Sequence, residues 1–158
     1  VIDFHISALH QPLLEEMVAS NVNLIKSIAP KYFDKLTNVV IDSALKGRDM
    51  ASIFQHIKDL NKVTERRAEL IAIDQTNKAT QALNVMQTKD IGIKKGIWIH
   101  IPGEKSSRKT HIAMNGKTFD LDEGLYDEDV GRNVLPGELP YCRCDFRPDI
   151  TELLTNEQ

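Results

Sequence analysis

Apolar residues recur at the helical period through the first part of the chain and predict two helices separated by Pro30. The first is predicted over residues 9–29, with Pro12 in its first turn, where proline is tolerated. The second is predicted over residues 31–46 and stops at Gly47, a residue suited to the position after a helix. Two such helices in succession are expected to pack as a hairpin.

Capping residues then separate a short helix from a long one. Asp49 is a suitable N-cap for a helix over residues 50–60, and Thr64 is a second N-cap, opening a helix that reaches about Asp90. Gly92 lies just past its end. Alanines and amides stand in this long helix where a core helix would have large apolar residues. This composition leaves open a solvated face with a thin alanine seam or a polar contact surface.

Beyond Gly96 the pattern changes to that of strands and turns. Runs rich in β-forming residues over 97–101, 117–121 and 141–147 predict a small antiparallel sheet. A short helical turn is predicted over 106–114, and a loop of roughly twenty residues precedes the last strand. The predicted fold class is therefore α+β, with an N-terminal helical hairpin and a long helix packed with a small C-terminal β-sheet.

Length and composition limit the domain organisation. The chain has 158 residues, of which 41% are hydrophobic, enough to bury a core. We predict a helical hairpin and short helix over 1–62, a core of long helix and sheet over 63–150, and a C-terminal tail over 151–158. No apolar run approaches the length of a membrane span, so no membrane partner is expected. The first residue, Val1, indicates a fragment or a processed chain.

Charge is divided unevenly along the chain. Residues 1–95 carry 13 Lys and Arg against 11 Asp and Glu, whereas residues 96–158 carry 7 against 12. The acidic C-terminal part argues against a broad phosphate-binding surface there. Two cysteines separated by one residue do not form a disulfide framework, which favours a reducing, cytosolic setting.

Both cysteines lie in a Cys-x-Cys motif within the third predicted strand. Alternation on a strand would place Cys142, Cys144 and Phe146 on one face. With His111, the two thiols form a candidate metal site, because thiolate and imidazole suit zinc. Only three such ligands are evident, however, and the spacing differs from the usual zinc knuckle. We therefore favour two small buried core residues and predict no cofactor, with zinc as the alternative.

Two further clusters are candidates for chemistry. His111 and Arg108, three residues apart, could act as an acid or base beside an anion clamp, and Asp74 is a further catalytic candidate. No nucleophile is visibly paired with His111, so no catalytic residue is assigned. An acidic run resembles a calcium loop, but its glycine is one place too early for an EF-hand, and we interpret it as a solvated charge run. The run comprises Asp120, Asp122, Glu123, Asp127, Glu128 and Asp129.

Four blocks in series resemble a known family. The first block contains Arg67, Glu69, Asp74, Gln75 and Asn77, and the second is Trp98. The third contains Arg108, His111, Asn115 and Gly116, and the fourth contains Pro136, Gly137, Cys142 and Cys144. From about residue 28 to 150 their order and spacing are similar to those of the phage head-morphogenesis family typified by protein F of phage Mu. The chain departs from the family pattern at Ile73, where the family has Arg, at Glu104 or Lys105, where it has Asp, and at Tyr141, where it has Asn.

The resemblance implies a minor head protein of a tailed phage or prophage. Such a protein is assembled in the bacterial host cytoplasm and lies in the virion, at the capsid interior or the portal vertex. Its implied partners are the portal protein, the major capsid protein or both, with packaged DNA as a further partner. Its implied roles are head assembly and DNA packaging or delivery, and no enzyme activity is implied.

The sequence also supports a second hypothesis about function. The polar residues clustered in separate blocks are also consistent with a metal-dependent or His-dependent effector enzyme, of the nuclease or toxin class, in a prophage-derived protein. That enzyme would use His111, Arg108, Asp74 and the two thiols. Direct contact with DNA is a third hypothesis, in which four basic residues bind phosphates. These residues are Arg66, Arg67, Lys94 and Lys95.

Overall fold

A computed structural model describes residues 5–60, 63–102 and 107–155. The chain divides into two compact units, Val1–Gln87 and Thr88–Gln158. The first is helical, and the second contains antiparallel strands and short helices. The predicted α+β class is confirmed, whereas the predicted domain limits stay a prediction.

The helical unit begins with the expected hairpin. Helix α1 spans Gln11–Asn23 and helix α2 spans Phe33–Leu45, after a 3-10 turn at Pro30–Tyr32, and the two helices pack together. Helix α1 ends earlier than the predicted residue 29. The cause is local: the N–H groups of the next two residues bond to carbonyls three positions back, which closes the helix. Ala29 is extended, as expected for a residue that precedes proline.

Side-chain caps start the next two helices as predicted. Helix α3 spans Met50–Asp59, and Asp49 accepts a hydrogen bond from the Ser52 N–H at 3.2 Å. Helix α4 spans Glu65–Asp90, and the Thr64 hydroxyl accepts one from the Arg67 N–H at 3.2 Å. No helix in the described residues is both long and apolar enough to cross a membrane. Apolar side chains from all four helices are buried: Leu14, Val18, Val22, Leu36, Val40, Ile53, Ile57, Ala68, Ile71, Ala72, Ala79, Ala82, Leu83, Val85 and Met86.

The C-terminal unit is built on strand β1, Lys95–Ile99, which lies between two antiparallel partners. The partners are β2, Thr118–Asp120, and β5, Asp145–Pro148. Gly96 of β1 lets two aromatic rings cross the strand, because a Cβ there would lie 2.9 Å from Phe146 and 3.0 Å from Phe119.

Short elements connect these strands. Helix α5, Lys109–Met114, joins β1 to β2, and helix α6, Thr151–Thr155, follows β5. The predicted helical turn over 106–114 therefore forms in its second half, and residue 106 lies outside the described residues. The same holds for Glu104 and Lys105.

A hairpin occupies the region predicted as a long loop, and that prediction is wrong. Strands β3, Leu125–Asp127, and β4, Arg132–Val134, pair as a second antiparallel sheet. Each strand has three residues and little apolar alternation, so the sequence pattern does not reveal it. Gly124 begins the hairpin in the left-handed region, with φ +75°.

We expect Gly124→Ala to destabilise the hairpin far more than Gly131→Ala. Both glycines have left-handed φ, so either alanine carries about 1 kcal/mol of backbone strain. At Gly124 the new Cβ would also lie 2.2 Å from the Val134 carbonyl oxygen, which adds about 1–3 kcal/mol, whereas nothing lies within 4 Å at Gly131. Urea unfolding of the two variants measures the difference, and equal losses would contradict this geometry.

Candidate functional site

His111 is the centre of the candidate site in the C-terminal unit. It lies on α5, is 2% exposed, and packs edge-on against Trp98 of β1 with ring centroids 5.4 Å apart. Its Nε2 lies 3.0 Å from the Asp127 carboxylate, which is fully buried. A carboxylate only accepts hydrogen bonds, so His111 Nε2 carries a hydrogen and donates the bond to Asp127. The other ring nitrogen, Nδ1, is left for other partners.

The two cysteines contact that free nitrogen. His111 Nδ1 lies 3.3 Å from Cys142 Sγ and 3.6 Å from Cys144 Sγ. The three candidate ligand atoms all lie within 4.8 Å of one another, and both thiols are buried. The structure thus brings together the three residues that the sequence analysis considered as a metal site.

The backbone conformation that directs the two thiols toward His111 is not the predicted strand. Strand β5 begins at Asp145, so Cys142 and Cys144 lie before the strand, and the predicted strand over 141–147 is wrong in its first half. The Cys142 N–H bonds to the Leu139 carbonyl at 3.0 Å, and Tyr141 has a left-handed φ of 58°. A turn, and not strand alternation, therefore aims both thiols at His111.

His100 is a neighbour that the sequence analysis missed. Its Nδ1 lies 3.6 Å from Cys144 Sγ, and its backbone N–H donates to Asn115 Oδ1 at 2.9 Å. The antiparallel register explains the approach: Ile99 pairs with Asp145, so the next residues outward, His100 and Cys144, face each other. A sequence analysis that paired Ile99 with Asp145 would have identified His100 as a neighbour of Cys144.

The electrostatics of the cluster favour a thiolate at Cys142. Hydrogen bonds from Cys144 and His111 lower the pKa of Cys142 to about 4, although burial opposes this shift. The hydrogen bond to Cys142 raises the pKa of His111, against the effect of burial. The hydrogen bond to Cys142, together with burial, raises the pKa of Cys144.

Asp127 corrects the interpretation of the acidic run as solvated. Its Oδ1 accepts a hydrogen bond from the Asp129 N–H at 2.9 Å while its Oδ2 accepts from His111. Burial raises the pKa of Asp127, but these hydrogen bonds outweigh burial and hold the pKa below its usual value. The other five members of the run are exposed or half-buried, so one acidic residue of six has a partner in the core.

Other motif residues of this unit support the cluster. Arg108, at the start of α5, donates from Nη2 to the Pro140 carbonyl at 3.0 Å, and so ties α5 to the turn before Cys142. The Gly116 N–H bonds to the Trp98 carbonyl at 2.8 Å. Pro136 and Gly137 are buried, and the Gly137 N–H approaches Cys142 closely enough to lower its pKa.

Three of the five motif residues of α4 contact partners within the helical unit. Arg67 Nε donates to Ser27 Oγ at 3.1 Å, and Asn77 Oδ1 accepts from Arg48 Nη2 at 2.9 Å. Asp74 pairs with Lys78 one helical turn later at 3.0 Å. Gln75 is buried and Glu69 is exposed. The catalytic role considered for Asp74 stays a prediction.

We expect Asp127→Ala to cost about 2–4 kcal/mol of unfolding free energy, because it leaves the buried His111 Nε2–H without an acceptor. The matched control is Glu128→Ala, at an exposed position of the same acidic run, which is expected to change stability by no more than about 0.5 kcal/mol. Urea unfolding of both variants provides the measurement. Similar losses would restore the interpretation of the run as uniformly solvated.

We expect Tyr141→Asn to stabilise the chain by about 0.5–1 kcal/mol, since asparagine tolerates the left-handed backbone better than tyrosine does. The Tyr141 side chain is 60% exposed, so little packing is lost. Tyr126→Asn is the control: it is equally exposed but lies on β3, where losing an aromatic residue costs up to about 1 kcal/mol. Thermal unfolding that ranks the two variants in the opposite order would refute the strain at Tyr141.

Comparison with known proteins agrees with the motif blocks. The sequence profile of the family described as "Phage Mu protein F like protein" matches residues 34–147. A protein of Haemophilus influenzae, described as uncharacterized, is 36% identical over 142 residues. The match covers 90% of this chain and 30% of that relative, so the chain spans less than a third of the relative's length. No solved structure matches the chain. The chain belongs to the family of phage Mu protein F like proteins, a family of phage head-morphogenesis proteins.

Proposed function

We propose that the chain is part of a minor head protein of a tailed phage or prophage. In this proposal it associates with the portal protein or the inner surface of the capsid, and acts in head assembly and in DNA packaging or delivery. The observation that carries the proposal is family membership over residues 34–147, which includes both the α4 motif and the His–Cys cluster. Portal protein and major capsid protein are its proposed partners.

Burial of the cluster supports a structural role over catalysis. His111, Cys142 and Cys144 are between 2% and 5% exposed, and Asp127 is fully buried. A catalytic group has to reach the reacting atoms of its substrate, at about 3 Å for a proton transfer. A nucleic acid strand cannot approach these side chains unless the unit opens.

The alternative is an effector enzyme of the nuclease or toxin class. The observation in its favour is the 3.3 Å contact between Cys142 Sγ and His111 Nδ1, which helps to lower the pKa of the thiol, since a thiolate beside a histidine is an activated nucleophile. Arg108 would then hold an anionic substrate, but its guanidinium already donates to the Pro140 carbonyl. We therefore rank this function second.

Removing the gene from its phage or prophage tests the proposal. We expect heads to be made with a normal capsid lattice but with impaired DNA packaging or delivery, because a minor protein acts at few sites. In wild-type particles we expect few copies per head by quantitative mass spectrometry, and protection from added protease until the head is opened. Normal, infectious particles without the protein, or its absence from purified heads, would contradict the proposal.

A binding experiment tests the partners. Purified full-length protein is mixed with portal protein and with major capsid protein, and association is measured by analytical ultracentrifugation. The same preparation is incubated with DNA and RNA, comparing the wild type with Arg108→Ala and His111→Ala. Turnover that these variants abolish would favour the effector enzyme. DNA binding that weakens steeply with salt would support packaged DNA as a partner.

A further inference from the structure

We propose that the C-terminal unit binds one structural zinc ion in a closed site made of two thiolates and two imidazoles: Cys142, Cys144, His111 and His100. The sequence analysis favoured a metal-free core because only three soft ligands were evident. The structure places a fourth, His100, beside Cys144 and just outside the group of three whose ligand atoms all lie within 4.8 Å of one another, so a small inward shift of its ring would complete the site. The proposal is independent of the role of the protein in phage heads.

The distances between the candidate ligands fit tetrahedral zinc. With Zn–N near 2.0–2.1 Å and Zn–S near 2.3 Å, tetrahedral angles put nitrogen and sulfur ligands about 3.6 Å apart. Three of the four N···S pairs, all but His100 with Cys142, lie 3.3, 3.6 and 3.6 Å apart. All three therefore lie within about 0.3 Å of the spacing that one central ion requires.

Pairwise hydrogen bonds account for the cluster less well. His111 Nδ1 has a single lone pair or a single proton, yet it contacts both sulfurs. Cys144 Sγ in turn contacts Nδ1 of two histidines. His111, Cys142 and Cys144 thus converge on a common point, as ligands of one ion do, and His100 adjoins that point through Cys144.

The surroundings of the cluster resemble those of an established metal site. Metal-bound histidines usually donate their second N–H to a carboxylate, and His111 does so with the buried Asp127. The Trp98 indole N–H is buried with no hydrogen-bond partner among the residues that the structure describes. Trp98 packs edge-on against His111 with ring centroids 5.4 Å apart, so a zinc-bound sulfur of the cluster is a candidate acceptor for this N–H.

Closure by His100 makes the site structural and not catalytic. A zinc ion with three protein ligands keeps an open position for water, whereas four ligands close it. The ligands come from segments far apart in sequence: Cys142 follows His111 by 31 positions, and Cys144 follows His100 by 44. Zinc binds cysteine as the thiolate and histidine as the neutral imidazole, so the charges of the two thiolates balance Zn²⁺.

Metal content and thiol protection test the proposal on the full chain. We expect about one zinc per chain by elemental analysis after expression in zinc-replete medium and gel filtration, and tetrahedral thiolate-cobalt absorption after exchange for Co²⁺. Neither thiol should react with Ellman's reagent until a chelator is added, after which both should react. Zinc-free protein that neither binds Co²⁺ nor gains thermal stability with added Zn²⁺ would overturn the proposal.

Variants test the individual ligands. His100→Ala should change the cobalt spectrum and weaken zinc binding, while Asp127→Asn should keep the spectrum and reduce affinity about 10- to 100-fold. His10→Ala, in the helical unit, is the matched control and should alter neither. An unchanged cobalt spectrum in His100→Ala would overturn the four-ligand assignment.

A parallel measurement uses the wild type, because Cys142→Ser and Cys144→Ser could fail to fold. Chelation of its zinc should lower the thermal stability reversibly.

Discussion

His111 joins three segments of the C-terminal unit through the two nitrogens of one ring. One nitrogen donates to Asp127 of the hairpin, and the other lies between the thiols of the turn before β5. A fully buried carboxylate is costly without a partner, so this hydrogen bond helps to fix the hairpin against α5. The imidazole is also the one group that contacts both thiols, with His100 as a further neighbour of Cys144.

Most residues of the family motif stabilise the fold and do not form an exposed binding surface. Asn115 holds the backbone of His100, and the Gly116 N–H bonds to the Trp98 carbonyl. In the helical unit, Arg67 and Asn77 tie α4 to Ser27 and Arg48 of earlier segments. The motif residues therefore mark places where distant segments are fixed to each other, which explains why they lie in separate blocks.

The helices were largely predictable because their signals are local. Asp49 and Thr64 cap helices within three residues of themselves, and the apolar period that follows needs no distant partner. The site was only half predictable. His111 and the thiols were recognised by residue type, but the burial of Asp127 and the approach of His100 depend on a hairpin and a strand register that local patterns do not encode. The motif resemblance identified the family without that geometry.

The central place of β1 has a consequence for the order in which the protein is made. Strand β5 pairs with β1 across more than forty residues, and β5 emerges from the ribosome after every other strand of this unit. Until then one edge of β1 has no partner. The helical unit can fold earlier because its contacts involve only segments that have already emerged. If synthesis pauses before Asp145, the edge of β1 that β5 normally covers stays unpaired. Such an edge can pair with another incomplete chain and so promotes aggregation.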